Sequence, residues 1–184
     1  MPIVIMVAGY ARSGKSALAK HLEEKGYTKI GFSDFIADEL KERGLEVTKT
    51  NMSNYGERFR KELGQDYLIE RVLKKAEGKD KVVISGLRLM REYEKIKEKY
   101  PNAKMILTNA NEQNRFDRRE DESKHLDEFL ERDREDDKMY NMHEVFEKMD
   151  FVIENNGSFE EFLSKVDLIV KRIEDMEKNI GTTP

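Results

Sequence analysis

The chain has 184 residues, a length that suits one α/β domain with a sizeable core and is short for two. Charged residues make up 39% of it and the formal net charge is -4, which argues against nucleic acid or an anionic membrane as the main partner. The lack of cysteine excludes disulfides, thiolate metal sites and a cysteine nucleophile. Because no apolar run approaches the roughly 20 residues of a membrane span, we expect a cytoplasmic protein, either a monomer or a homodimer.

Apolar runs and helical patterns alternate along the chain. Five runs predict strands: Ile3–Val7, Tyr27–Phe32, Lys81–Ile84, Lys104–Leu107 and Phe151–Ile153. The other segments predict helices: 17–24, 34–43, 51–76 with interruptions near Gly56 and Gly64, 91–100, 111–137 and a final helix that Ser158 caps. This alternation implies βαβ units with right-handed crossovers. We therefore predict a three-layer α/β/α fold around a five-stranded parallel sheet, in one domain over residues 1–180 with a tail at 181–184.

The segment Gly9–Ser16 has the pattern Gly-x-x-x-x-Gly-Lys-Ser between a buried strand and a helix. This is the phosphate-binding P-loop, in which glycines let backbone N–H groups and the positive end of the helix approach phosphate oxygens. The expected contacts to the nucleotide are Gly9, Ala11, Arg12, Ser13, Gly14, Lys15, Ser16 and Ala17. Lys15 reaches the β- and γ-phosphates, and the Ser16 hydroxyl is a Mg²⁺ ligand. The loop therefore predicts a P-loop NTPase fold that binds ATP, or a close relative, with Mg²⁺.

Other polar residues also follow predicted strands, and in a parallel sheet the carboxyl ends of the strands meet at one crevice. Asp34 is placed to orient or deprotonate an acceptor hydroxyl there, and its alternative role is to cap the following helix. Arg88 is placed to clamp an acceptor phosphate, with an ion pair to Glu92 as its alternative. The arginines at 115, 118 and 119 are placed to stabilise developing negative charge, but interleaved acidic residues equally suit a solvated helix face.

Four short motifs extend beyond the glycine loop. They are Phe32-Ser33-Asp34, Ile84-Ser85-Gly86-Leu87-Arg88, the arginines at 115, 118 and 119, and the segment 150–158. With them, the chain from Ile3 to about Val166 resembles the small P-loop nucleotide kinases of the nucleoside monophosphate kinase and dephospho-coenzyme A kinase type, including archaeal adenylate-kinase-related proteins. The resemblance implies transfer of the γ-phosphoryl group of ATP to a small nucleotide-like acceptor. A (deoxy)nucleoside monophosphate is the first candidate acceptor, and dephospho-coenzyme A is the alternative.

The resemblance also implies roles for single residues. Its expected catalytic residues are Lys15, Asp34, Arg88, Arg115 and Arg119. Its expected acceptor-binding residues are Asp34, Arg60, Gly86 and Arg88, within a helical segment at about 45–78 and the loop after the third strand. A helical lid is expected at about 111–140, and Asn155 and Gly157 are expected beside the adenine.

Ser85 departs from this family pattern, which has an aspartate at the end of the third strand. Mg²⁺ would then depend on Ser16, the phosphates, water and Asp34. A nucleotide-binding protein with altered catalysis therefore stays open as an alternative. A GTPase-like switch is a further alternative, although the chain lacks an Asn-Lys-x-Asp motif for guanine.

Overall fold

The computed structural model describes residues 2–119 and 125–180. In these residues the strands are β1 (Ile3–Ala8), β2 (Thr28–Gly31), β3 (Lys81–Ser85), β4 (Lys104–Asn109) and β5 (Phe151–Glu154). The helices are α1 (Lys15–Glu24), α2 (Phe32–Glu42), α3 (Lys49–Leu63), α4 (Tyr67–Ala76), α5 (Met90–Lys99), α6 (Glu112–Asp117), α7 (Leu126–Tyr140), α8 (Met142–Phe146) and α9 (Phe159–Ile180). The predicted tail at 181–184 lies outside the described residues, as do residues 120–124 of the predicted lid.

The five strands form one parallel sheet in the order β2-β3-β1-β4-β5. Alternate residues of the central strand β1 face opposite sides, so each face carries its own apolar core. One core joins Ile5 and Val7 to α1 and α9, and the other joins Val4 and Met6 to helices that include α4 and α5. The predicted three-layer α/β/α fold with a five-stranded parallel sheet is confirmed.

Helix α9 packs against the sheet from one end of its strands to the other. Near its start, Phe162 is buried beside Gly14, where an added Cβ atom would lie 2.9 Å from its ring. Near its end, Glu174 accepts hydrogen bonds from Tyr27 Oη at 2.9 Å and from Lys81 Nζ at 2.7 Å. The predicted cap is confirmed, because Ser158 Oγ accepts the Glu161 N–H at 3.1 Å. This helix therefore connects the glycine loop, at the carboxyl ends of the strands, with the opposite ends, where β2 and β3 begin.

Three element predictions need correction. Phe32 opens α2 and does not end β2, because the backbone turns into the helix directly after Gly31. Helix α3 runs through Gly56 without a break, since the glycine lets α2 pack closely: an added Cβ atom would lie 3.1 Å from Ile36 Cδ1. The predicted helix at 111–137 is divided into α6 and α7, and the short α8 was not predicted. The predicted interruption at Gly64 is confirmed, with φ of 104° at the end of α3.

Candidate functional site

The carboxyl ends of the strands surround a cavity of about 790 Å³. The segments after β1, β2, β3 and β5 all contribute to its lining, together with α3, Arg118 and α7. One end of the cavity is the glycine loop, and the other end, here called the acceptor end, is formed by α2, α3 and the loop after β3. Both ends open into the same space, so two ligands can lie in contact within it.

The glycine loop is held by neighbouring strands and not only by its own turns. Ser13 Oγ and Thr108 Oγ1 of β4 are hydrogen-bonded at 2.8 Å, and Thr108 also donates to the Ala8 carbonyl at 3.2 Å. From beyond β5, Asn155 Nδ2 donates to the Ser13 carbonyl at 2.9 Å. Arg12 has a positive φ of 63°, a conformation uncommon outside glycine. Contacts from two strands thus preset a loop conformation whose backbone N–H groups can bind phosphate.

Lys15 is the first residue of α1, and its ammonium group folds back over the loop. It donates to the carbonyl oxygens of Gly9 at 2.7 Å and Tyr10 at 2.6 Å. Burial, and then the positive charge of Arg88, lowers the pKa of Lys15 from 10.5 to about 7, against the opposing charge of Asp133. In the free protein this lysine therefore gives up its proton more readily than an exposed lysine does.

Nucleotide binding is expected to take up a proton above pH 7. A bound phosphate favours the charged lysine and raises its pKa, so a site that is mostly neutral at pH 8 must gain about one proton on binding. At pH 6 Lys15 is already protonated and the uptake should be close to zero. Titration calorimetry with Mg²⁺-nucleotide in buffers of different ionisation enthalpy measures this number. Equal proton uptake at pH 6 and pH 8 would contradict the lowered pKa.

Two arginines of the acceptor end each face a carboxylate. Arg60 and Glu92 are both buried and pair at 2.7 Å, and Glu92 also accepts the backbone N–H of Arg88 at 2.8 Å. The Arg88 side chain instead pairs with Asp136 of α7 at 3.1 Å. Both guanidinium groups lie near the ring of Tyr140, at 5.7 Å and 5.2 Å from its centroid. Arg88 therefore contacts Glu92 through a backbone hydrogen bond, and not through the side-chain ion pair that the sequence offered as an alternative.

Helices α6 and α7 contact the glycine loop through paired charges. Arg115 is buried, pairs with Asp133 at 2.6 Å and donates to the Ala11 carbonyl at 3.2 Å. Tyr10 Oη donates to Asp137 at 2.5 Å, and the Tyr10 ring packs edge-on against Phe146. Burial raises the pKa of Asp133, although Arg115 opposes this effect. The segment predicted as a lid therefore lies against the loop, through Arg115 on the Ala11 carbonyl and Asp137 on the Tyr10 hydroxyl.

Asp34 adopts its alternative, capping role. Its Oδ2 accepts the Gly31 N–H at 3.0 Å at the start of α2, and its side chain is exposed. Of the Phe-Ser-Asp motif, Phe32 and Ser33 line the cavity and Asp34 does not. The carboxylate that the cavity does contain is that of Asp136.

Most of the predicted site residues line this one cavity: Gly9, Ala11, Arg12, Gly14, Lys15, Ser16, Ala17, Arg60, Gly86, Arg88, Asn155 and Gly157. Four lie elsewhere. The Ser13 side chain is buried within the loop and Arg115 behind it, Asp34 caps α2, and the Arg119 guanidinium stacks on Phe116 at 3.7 Å.

The α7 residues Phe129, Asp136 and Tyr140 were not predicted, nor was Phe159 beside Gly157. The signal for the first group is spacing: positions 129, 133, 136 and 140 share one helix face. An aromatic residue at each end of that face marks it as packed, although charged residues dominate the segment.

Ser16 lines the cavity next to Lys15, which suits a hydroxyl ligand for Mg²⁺ carried by a nucleotide. Within the described ranges, no group of three or more carboxylate or imidazole side chains forms a metal cage. Among the described helices, none has the length and apolar character needed to cross a membrane.

Comparison with known proteins agrees with this geometry. The model of the AAA domain family, a P-loop family, matches residues 5–145. The UPF0200 protein of Thermococcus kodakarensis is 30% identical over 182 residues, which cover 93% of this chain and 98% of the relative. The UPF0200 protein of Pyrococcus horikoshii is also 30% identical, over 93% of this chain and 97% of its own length.

Solved structures of kinases have the same fold. Shikimate kinase from Bacteroides thetaiotaomicron aligns with a TM-score of 0.64 at 16% identity, over 94% of this chain and 98% of that chain. Dephospho-CoA kinase from Campylobacter jejuni aligns with a TM-score of 0.57 at 16% identity, over 96% and 100%. At these identities the likeness concerns the fold alone, which is that of P-loop kinases. The chain belongs to the UPF0200 family and is built on an AAA-type P-loop domain.

Proposed function

We propose that this protein is an ATP-dependent phosphotransferase that moves the γ-phosphoryl group to a small nucleotide-like acceptor. The observation that carries the proposal is the shared cavity, with Lys15 at its nucleotide end and Arg88 at its acceptor end. Phosphoryl transfer depends mainly on placing donor and acceptor in line and on stabilising negative charge. A single cavity that receives the donor at one end and the acceptor at the other can align the two, and its cations can stabilise the charge.

At the nucleotide end, the P-loop backbone and Lys15 would bind the phosphates, and Ser16 would hold Mg²⁺, which supplies charge neutralisation. The base would lie beside Asn155, Gly157 and Phe159, which line the cavity after β5. Arg118 also lines this part and donates to the Asn155 carbonyl at 2.9 Å, so it is placed to contact the base or the phosphates.

Two acceptor classes fit the acceptor end. A (deoxy)nucleoside monophosphate is supported by Arg88, which could clamp its phosphate, and by apolar residues such as Phe32 and Ile36 that could contact its base. The hydroxyl group of dephospho-coenzyme A is supported by a different observation, the carboxylate of Asp136 within the cavity. Arg60 would contribute to either pocket by shaping it, because Glu92 already neutralises its charge.

We further propose that residues 1–180 act as one kinase unit, with 45–78 enclosing the acceptor and 111–140 closing as a lid. Arg115, buried against the loop, would support the position of the phosphates from behind. Arg119 would act only after movement of α6, since its guanidinium now stacks on Phe116. Cytoplasmic location and a monomeric or homodimeric state stay part of the same proposal.

An ADP-release screen tests this function. The purified protein is supplied with Mg²⁺ and ATP, or GTP, and with each nucleoside and deoxynucleoside monophosphate and dephospho-coenzyme A in turn. At least one acceptor should raise ADP release about tenfold or more above the acceptor-free rate. Tight ATP binding with no stimulation by any acceptor would contradict transfer and support the alternative that Ser85 raises, a nucleotide-binding protein with altered catalysis.

A further inference from the structure

Helix α7 places a carboxylate in the cavity. The two positions at which the family pattern has one, 85 and 34, do not. Position 85 carries a serine, and the Asp34 carboxylate is used at the start of α2. Asp136, by contrast, lines the cavity with its side chain 15% exposed, and it accepts a hydrogen bond from Arg88 Nη1 at 3.1 Å. Lys15 and Arg88, from the two ends of the cavity, line the same cavity as Asp136.

The charges of the acceptor end are already balanced in pairs. Arg60 and Glu92 form a pair in which both side chains are at most 6% exposed, which makes the exchange of Glu92 for a substrate phosphate costly. Arg88 is balanced by Asp136. Among the described residues that line this end, these pairs leave no net positive charge for a second phosphate. A carboxylate beside an anionic acceptor would repel it, whereas a hydroxyl group can donate to it.

We propose that the acceptor atom is a hydroxyl oxygen and that Asp136 is the catalytic base that receives its proton. This inference rests on the proposed phosphotransferase function and adds the class of acceptor. The acceptor oxygen forms a bond to the γ-phosphorus, and the bond from that phosphorus to the β–γ bridging oxygen breaks. ADP leaves with that oxygen and its electron pair. The hydroxyl proton passes to a carboxylate oxygen of Asp136 and then to water.

The two carboxylates of this helix nearest to Asp136 on the side of the loop have different partners. Asp133 is buried against Arg115, and Asp137 accepts the Tyr10 hydroxyl. Arg88 holds the Asp136 carboxylate in a fixed direction, which is what a general base requires at hydrogen-bond distance from its substrate. The charged groups that face Asp136 are Arg88 after β3, Lys15 of α1 and Asp133 on its own helix.

The test compares Asp136→Asn with Asp136→Glu and with Glu131→Gln. Asparagine keeps the shape and can still accept from Arg88, but it is not basic. Glutamate restores a carboxylate. Glu131 lies on the same helix but is exposed and paired with Arg134, so its variant controls for charge loss on α7. For each variant we would measure the thermal midpoint, MgATP affinity, and kcat and KM against pH with every acceptor of the ADP-release screen.

With a hydroxyl acceptor, Asp136→Asn should lower kcat by about 10²-fold or more, with little change in MgATP affinity. The acid limb of the wild-type pH profile should disappear in Asp136→Asn, return in Asp136→Glu and be unchanged in Glu131→Gln.

Should Asp136→Asn fail to fold, the activity and the pH limb of Asp136→Glu decide, because a shifted limb requires a titrating carboxylate. An enzyme that uses only monophosphate acceptors, or an Asp136→Asn variant with normal kcat, overturns this inference and leaves the phosphotransferase proposal intact. If no acceptor stimulates ADP release, both this inference and the phosphotransferase proposal are overturned.

Discussion

Replacing Lys15 by alanine is expected to lower kcat/KM for phosphoryl transfer by at least about 10²-fold, because it removes a positive charge placed where negative charge develops. The fold should survive. In the free protein the ammonium group donates to the carbonyl oxygens of Gly9 and Tyr10 at the cavity wall, and the two apolar cores of the described residues do not include this lysine. Steady-state kinetics and a thermal unfolding curve measure both parts of the expectation.

Lys20→Ala is the matched control. Lys20 lies on the exposed side of the same helix α1, so its loss should change neither kcat/KM nor nucleotide affinity. A well-folded Lys15→Ala protein with near-normal turnover would show that the glycine loop does not bind the reacting nucleotide, and the assignment of the whole nucleotide end would be lost with it.

The second large effect is expected at Gly9. An added Cβ atom would lie 2.3 Å from the backbone oxygen of Thr108 in the neighbouring strand β4, and φ at Gly9 is +141°. Neither the strand nor the backbone angle can adjust cheaply, so Gly9→Ala should lower the free energy of unfolding by about 3 kcal/mol or more. It should also abolish nucleotide binding, since the loop must move away from β4. Denaturant titration and calorimetry with MgATP provide the two measurements.

Gly26→Ala separates strain from crowding. Gly26 also has a positive φ, of +89°, but nothing lies within 4 Å of an added Cβ atom. Its substitution should cost only the left-handed penalty of about 1–2 kcal/mol and leave nucleotide binding unchanged. If both alanine variants lose stability equally and bind nucleotide equally well, close contact with β4 is not what fixes the loop.

The fold could be predicted largely from local patterns, because each strand of a doubly covered parallel sheet is an almost continuous apolar run. The errors arose where long-range packing decides. Gly56 stands inside α3 because α2 packs closely against it, and no local pattern reveals that neighbour. The end of β2 was misplaced by one residue, since Phe32 suits a strand and a buried first helical turn equally well.

The nucleotide end of the site was predictable for a related reason. Its residues are contiguous in the chain, and the chemistry of phosphate binding demands glycines and a lysine at fixed spacing. The contacts of Thr108 and Asn155 that hold the loop come from distant segments and were not predicted, since the family resemblance placed Asn155 only beside the adenine.

The acceptor end could not be predicted as well, because its contacts cross between helices. In sequence, Asp136 is one acid among many in a charged segment, which more often indicates a solvated face. Only the packing of α7 over the loop distinguishes Asp136 from Glu131, which is an exposed residue of the same helix. For Asp34 the sequence offered a helix cap or a catalytic group, and in the structure its carboxylate accepts the Gly31 N–H at the start of α2.

Helix α9 has a consequence for the order in which the protein matures during synthesis. Asn155 and Phe162 both pack against the glycine loop, yet they are added about 140 residues after it. At about 5–20 residues per second, this delay is roughly 7–30 s. The loop thus leaves the ribosome well before the residues that complete its packing, and it reaches its final geometry only after that delay.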